Sequence, residues 1–320
     1  MKAILVSQVG SPDVMKLEEV ADPVPAAGQV VVKVKAIGVN PVEVYIRAGK
    51  YPMRAALPYT PGHDAAGMVD AIGPDVKSFR VGDRVYTSSS ITGSYAEKML
   101  CPEQGVHPLP KNVTFQQGAA MGVPYATAWR GLHLRGRGMP GEWLLVHGAT
   151  GGVGTAAVQI ARAWGMHIIA TGGTERGRQM VRGQGADHVL DHHAADYLKQ
   201  AMDITGGRGI DLVIEFLANA NLNKDLGILS HRGRVVVIGS RGPVEIDARQ
   251  TMMRDSSILG MSLNNATPTE LREIHAALVA GLADGSLRPV IGKEFPLADA
   301  DKAHEAVMAP GAYGKIVLIP

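Results

Sequence analysis

Apolar residues recur along this chain in two rhythms, and the change from one to the other divides it. In the first third they fall in short runs broken by glycine and proline. Met1–Gln8 reads as an opening strand. Gln29–Val34 carries Val30, Val31, Val32 and Val34, β-branched residues that suit a pleated strand. Ala65–Ile72 and Arg84–Tyr86 read as further strands, set apart by Gly-Pro and Gly-Asp turns. Little here has a helical period, so the pattern predicts a compact β-rich domain.

From Glu142 the rhythm alternates. Strands are predicted at Glu142–His147, His167–Thr171, His188–Leu190, Ile210–Phe216 and Arg234–Ile238. Helices are predicted between them at Thr155–Trp164, Glu175–Gln184, Tyr197–Ile204 and Leu222–Leu229. This alternation implies a parallel, doubly wound sheet. Ser257–Leu263 reads as a further strand and Lys315–Ile319 as a closing one. Thr269–Ala283 reads as a long helix, with Leu271, Ile274, Leu278 and Leu282 at helical spacing. The expected fold class is therefore α/β. Residues 125–264 would form a doubly wound cofactor domain. Residues 1–124 and 265–320 would form a β-rich catalytic domain around it, with the ligand in a cleft between the two.

Composition narrows the function. With 320 residues, 46% of them apolar and 19% charged, the chain suits a soluble protein of about two domains. A net charge of +2 gives no bulk attraction to nucleic acid or membrane. One cysteine, Cys101, permits neither an internal disulfide nor a zinc site of several cysteines. No apolar run approaches the length of a membrane span, and the N-terminus lacks a signal-peptide pattern. A cytoplasmic enzyme or binding protein is expected.

The candidate chemistry starts at Leu144–Gly154, a short apolar strand ending in Gly-Ala-Thr-Gly-Gly-Val-Gly and opening a helix. Such a turn brings backbone N–H groups and a helix N-terminus to a pyrophosphate. Ala149 holds the first glycine position, with Gly151 and Gly154 in the others. An NAD site would place a carboxylate about 20 residues on, at the end of the next strand. The chain has Thr171-Gly172-Gly173-Thr174 there, followed by Arg176 and Arg178. This predicts NADPH over NADH, with Arg178 a partner for the 2′-phosphate; the alternative puts both arginines on a solvated helix face. His192, after the third strand, either approaches the adenosine phosphate or is a surface histidine.

Several stretches then carry a resemblance: Asn40–Tyr51, Leu57–Gly62, Gly82–Ser89, the Gly148–Gly154 turn, Ile210–Asn219, Gly239–Gly242 and Arg288–Gly292. Together they resemble the zeta-crystallin-like NADPH:quinone oxidoreductases, a zinc-free branch of the medium-chain dehydrogenase/reductase superfamily. The resemblance runs from about Met1 to Pro320. It implies a GroES-like catalytic domain, a Rossmann domain and zinc-independent reduction of quinones by NADPH. It places Tyr45 against the nicotinamide end, with Asn40 and Tyr51 nearby as catalytic residues. Thr150, Gly151, Gly152, Val153 and Gly154 would hold the pyrophosphate. Gly173, Thr174 and His192 would lie near the adenosine. Thr127, Asn221, Gly239, Ser240, Arg241, Met261, Ser262, Leu263 and Lys315 would line the rest of the cofactor.

Where zinc-dependent relatives place three metal ligands, this chain has Asn40, His63 and Val123, which cannot build such a site. An acceptor that needs no Lewis acid fits this loss, and a quinone is one. Tyr45 and Tyr51 would then be flat walls with hydroxyls, or simply core aromatics. Two other readings stay open. One is NADPH-dependent reduction of α,β-unsaturated carbonyls. The other is an NADPH-binding protein with secondary RNA binding, for which Arg130, Arg135 and Arg137 beside His133 are the only basic cluster. An apolar Ser257–Leu263 edge strand and the resemblance both imply a homodimer or homotetramer.

Overall fold

The computed structural model describes residues 1–52 and 55–320. Strand β1 (Lys2–Val6) pairs antiparallel with β2 (Met15–Glu19), and its Ala3, Ile4 and Val6 turn inward. The longest strand, β3 (Gln29–Gly38), buries its valines. Helix α1 (Pro41–Arg47) follows at once, where the sequence reading expects little helix. Val42, Val44 and Ile46 alternate like a strand, but Pro41 supplies the preset φ of a first helical residue. Asn40, extended just before it, donates its N–H to Glu43 Oε2 at 2.9 Å. Asn-Pro followed by glutamate three residues after the asparagine was the available start signal.

Next come β4 (Asp64–Ile72), β5 (Arg84–Thr87), β6 (Lys98–Pro102), β7 (Val106–Pro108) and α2 (Phe115–Ala119). Cys101 lies buried on β6, paired across from Val30. The chain then enters α3 (Gly122–Trp129), which runs on into a π-helical turn at Arg130–Arg135.

The doubly wound part contains β8 (Trp143–Val146), α4 (Gly152–Ala163), β9 (His167–Thr171), α5 (Glu175–Gly183), β10 (His188–Leu190), α6 (Tyr197–Ile204), β11 (Ile210–Glu215), α7 (Ala218–Ile228), β12 (Leu229–Val237), α8 (Arg249–Met252) and β13 (Ser257–Gly260). All its pairings are parallel, in the order β10-β9-β8-β11-β12-β13. This is the dinucleotide-binding strand order, which reverses between β8 and β11. Leu145, Ile169, Val213, Leu226 and Val235 share its core. Helix α7 starts four residues earlier than the pattern predicts, and β12 five residues earlier.

After α9 (Pro268–Asp284), β14 (Ile291–Pro296), α10 (Ala300–Met308) and β15 (Lys315–Ile319) complete the first sheet. Among the described residues its order is β14-β15-β3-β4-β5-β7, with β6 also on β3. Strand β14 escaped the pattern because Ile-Gly-Lys-Glu-Phe-Pro carries a glycine, two charges and a proline, which only an edge strand tolerates. Leu318 joins Ile4, Val32, Ile37, Tyr95 and Met99 in one core.

Two compact units result. One comprises Met1–Pro124 with His275–Pro320, the other Tyr125–Ile274. The sequence reading returned to the catalytic domain at 265, but residues 265–274 group with the second unit. Arg130 is the reason: it is buried and bonds the carbonyls of Ser262 and Asn265 at 3.1 and 3.3 Å and the Glu270 carboxylate at 3.2 Å. No helix among the described residues is long and apolar enough to cross a membrane.

Candidate functional site

In the second unit the glycine turn follows β8. Gly148 adopts φ +53°, the left-handed region that favours glycine. Its N–H donates to Thr171 Oγ1 at 3.0 Å, and the Ala149 N–H donates to the Thr171 carbonyl at 2.8 Å, so the end of β9 clamps the turn. Gly151 is extended and Gly152 opens α4. A Cβ on Gly154 would lie 2.5 Å from Ala149 Cα, so only glycine lets α4 approach the turn. The first N–H groups of α4 have no acceptor within the helix, and with the helix dipole they form an anion site. Thr150, Gly151, Gly152, Val153 and Gly154 all belong to this one feature.

Beyond β9, no carboxylate follows Thr171 before Glu175. Thr174 caps α5, its Oγ1 accepting from the Gly177 N–H at 3.1 Å. Gly173 lies against the rings of His192 and His193, whose Nε2 atoms would each sit 2.7 Å from an added Cβ. Burial, helped by His193, pulls the His192 pKa down. Arg178 departs from expectation. Its guanidinium pairs with Glu175 and Asp191, each at 2.8 Å, and bonds the Gly172 carbonyl at 3.2 Å. Two carboxylates already balance the charge that the sequence reading offered to a 2′-phosphate.

Further along the sheet, a cavity of about 550 Å³ opens beside the ends of β12 and β13. Gly239, Ser240, Met261 and Ser262 line it with Arg130 and Asn265. Leu263 starts the short turn that follows, and the Arg241 N–H donates to Asn219 Oδ1 at 2.9 Å. Thr127 is buried in α3, outside the residues that line the cavity. Of the basic cluster, Arg135 and Arg137 are exposed and Arg130 is buried. Arg130 is committed as described, Arg135 bonds the Gly260 carbonyl at 3.1 Å, and His133 packs against the rings of Trp129 and Trp164.

In the first unit, Asn40 sits in a buried polar network. Its Nδ2 donates to Glu43 Oε1 at 3.1 Å and to Asp64 Oδ2 at 2.9 Å, and its Oδ1 accepts from Lys315 Nζ. Lys315 Nζ also lies 3.7 Å from Asp64 Oδ2, whose other oxygen accepts the Val123 N–H at 2.8 Å. Glu43 Oε2 accepts from the Tyr95 hydroxyl at 2.7 Å. Burial pushes the Glu43 and Asp64 carboxyls up and the Lys315 ammonium down, and their attractions offset part of each shift. With both polar ends committed, Asn40 fixes the start of α1, and Lys315 holds Asn40. Tyr45 on α1 and Tyr51 just beyond it are half-buried, and neither hydroxyl has a hydrogen bond among the described residues.

Comparison with known proteins agrees with this geometry. Residues 26–111 match the alcohol dehydrogenase GroES-like domain family and residues 152–280 the zinc-binding dehydrogenase family. Quinone oxidoreductase of Homo sapiens is 49% identical over 321 aligned positions, covering 100% of this chain and 98% of the relative. The chain belongs to the quinone oxidoreductases of the medium-chain dehydrogenase/reductase superfamily. Within that superfamily, a quinone oxidoreductase from Escherichia coli, solved in complex with NADPH, superposes with a TM-score of 0.88 at 30% identity over the whole of both chains. An NAD-dependent alcohol dehydrogenase superposes with a TM-score of 0.93 at 29% identity, again over both whole chains.

The zinc in one family description does not fit the residues of this chain. At the three positions, Val123 has no donor side chain, Asn40 is spent on Glu43, Asp64 and Lys315, and His63 alone can ligate. An ammonium also occupies the Asn40–Asp64 neighbourhood, where it would oppose a second cation.

Proposed function

We propose that this chain reduces quinones with NADPH and without a metal ion. The observation that carries the reading is the donor set just described: Asn40, His63 and Val123 offer no Lewis acid, which suits an electron-poor acceptor whose reduction yields an aromatic product. Membership of the quinone oxidoreductases and the NADPH in the E. coli relative point the same way.

When bound, NADPH supplies the hydride. This chain's residues do the rest. The N–H groups opening α4 hold the pyrophosphate. The Gly172–Gly173 segment follows β9 without a carboxylate of its own, beside Arg178 and its partner Asp191. Arg178 would meet a 2′-phosphate by exchanging a carboxylate partner. The cavity lined by Gly239, Ser240, Met261 and Ser262 takes the nicotinamide half. Tyr45 and Tyr51 offer the acceptor ring faces and hydroxyls that make no hydrogen bond among the described residues, and their main contribution is orientation. Asn40 is a positioning residue, because it anchors the helix that carries Tyr45.

The test is oxidation of NADPH, with NADH in parallel, against an ortho-quinone, a para-quinone and a simple enone, with and without chelator. Rapid, NADPH-selective, chelator-insensitive turnover of a quinone is expected. Turnover of the enone alone would move the chain to the unsaturated-carbonyl reductases. In the same assay Y45F and Y51F are each expected to lower kcat/KM about tenfold, or about 1.4 kcal/mol of transition-state stabilisation. Unchanged constants in both would remove their role.

A homodimer or homotetramer also belongs to this reading. Strand β13 ends the parallel sheet, with Ser257, Ile258 and Gly260 at its open edge, where a second copy can pair across a two-fold axis. Sedimentation should give twice or four times the chain mass, and I258P should lower it. A monomeric wild type would refute this. A cytoplasmic location is in keeping with a single cysteine and no internal disulfide.

A further inference from the structure

His147, Glu215 and Asp225 form a buried titratable cluster that the reaction above does not use. His147 follows β8, Glu215 ends β11 and Asp225 lies on α7. Strands β8 and β11 are the neighbours between which the sheet order reverses, where doubly wound sheets take their ligands. The exposures of the three are 4%, 0% and 0%. His147 Nε2 lies 2.8 Å from Asp225 Oδ1 and 3.6 Å from Glu215 Oε2. Glu215 Oε1 accepts the Leu217 N–H, and Asn221 Nδ2 donates to both Glu215 oxygens, at 3.3 and 3.2 Å. Asn221 and Asp225 are four apart on α7 and share a face. The other titratable groups facing the cluster are Tyr197 of α6, edge-on to His147 with ring centroids 6.1 Å apart, Lys224 of α7, and His192 after β10.

Asn221 has one donating and one accepting end. Glu215 holds the donating end, and Oδ1 makes no hydrogen bond among the described residues. An ionised carboxylate only accepts, whereas a protonated one also donates and can bond the amide the other way round. We propose that Glu215 is a positioning residue for the dinucleotide: in its ionised form it fixes Asn221 with Oδ1 presented to the cofactor, and protonation of the cluster releases that orientation. The proposal rests on the NADPH reading above. Burial pushes the Glu215 carboxyl up to about 7, with His147 opposing and Asp225 adding to the shift. Burial alone would lower His147, but the Asp225 hydrogen bond and the charges of Asp225 and Glu215 outweigh it and raise its pKa. The switch therefore falls in the neutral range.

The sign follows. If the ionised form binds, NADPH affinity falls as pH falls through about 7, and Kd rises about tenfold between pH 8 and pH 6. The experiment is fluorescence titration of NADPH, without acceptor, onto wild type, E215Q, N221A and the double variant at pH 6, 7 and 8. E215Q and N221A are expected to keep only the pH dependence of the nucleotide's own phosphate. E215Q should bind about tenfold more weakly than wild type at pH 8, and the same substitution in the N221A background should change Kd less than about threefold. A wild-type profile that parallels N221A, or an equal E215Q effect in both backgrounds, overturns the positioning role. The wild-type comparison with N221A stands even if E215Q does not fold. Absence of NADPH binding by wild type at every pH overturns the cofactor reading itself.

Discussion

Methionine in place of Lys315 is expected to destabilise the protein by about 3–5 kcal/mol, the range found when one partner of a buried ionic pair is removed. Lys315 is 5% exposed, and its ammonium is the cation between Asn40 and Asp64. Without it Glu43 and Asp64, both buried, lose an attraction that offsets their desolvation. Their carboxyl pKa values, already raised, climb further. A carboxyl raised in the folded state binds more protons there than in the unfolded chain, so its contribution is present at low pH and lost as pH rises. Urea unfolding should therefore show a wider gap between K315M and wild type at pH 8 than at pH 5.5. Adding D64N to K315M should recover part of the loss, because it removes one of the two buried carboxylates that the cation balances. Equal midpoints for K315M and wild type at both pH values would mean that the network carries no charge to balance.

Valine at Gly154 is expected to raise the NADPH Kd at least about 100-fold, or about 2.7 kcal/mol. The added Cβ would meet the Ala149 backbone at 2.5 to 2.9 Å, and backbone cannot swing aside as a side-chain end can. Either α4 lifts or the turn moves, and both carry the helix N–H groups away from the pyrophosphate. Thr171 holds the other side of the turn through two hydrogen bonds, so the movement cannot be shared with β9. Fluorescence titration measures the loss, and circular dichroism checks that the sheet persists. Binding within threefold of wild type would mean that the turn is not the phosphate site.

Much of the second unit could be read from the chain because its central strands are buried on both faces and the glycine turn and Thr174 mark the starts of α4 and α5. His167–Thr171, His188–Leu190 and Tyr197–Ile204 occupy the predicted bounds, and Thr174 marks the start of α5. The first unit was less legible, since β14 is an edge strand and α1 is built from β-branched residues. Site residues divide the same way. The glycine pattern marks the backbone turn and helix start at Gly151 and Gly154. Positions fixed by partners distant in sequence could not be placed in this way. Asp191 pairs with Arg178, and Asn40 and Asp64 enclose Lys315, and no local pattern announces those partners. The His147 cluster was missed for the same reason. Its traces were a histidine just past one strand, a glutamate ending another, and Asn221 and Asp225 one helical turn apart, and only the sheet order brings them together.

Cys101 on β6 bears on the chain's durability. Quinones are electrophiles that form covalent adducts with thiolates, so an enzyme turning them over is exposed to alkylation by its own substrate. The single thiol here is fully buried, and burial pushes its pKa up to about 12. At neutral pH the thiol stays protonated, and it does not face solvent. Housing its only sulfhydryl in the core between β3 and β6 leaves the chain without a reactive sulfur for a quinone to arylate.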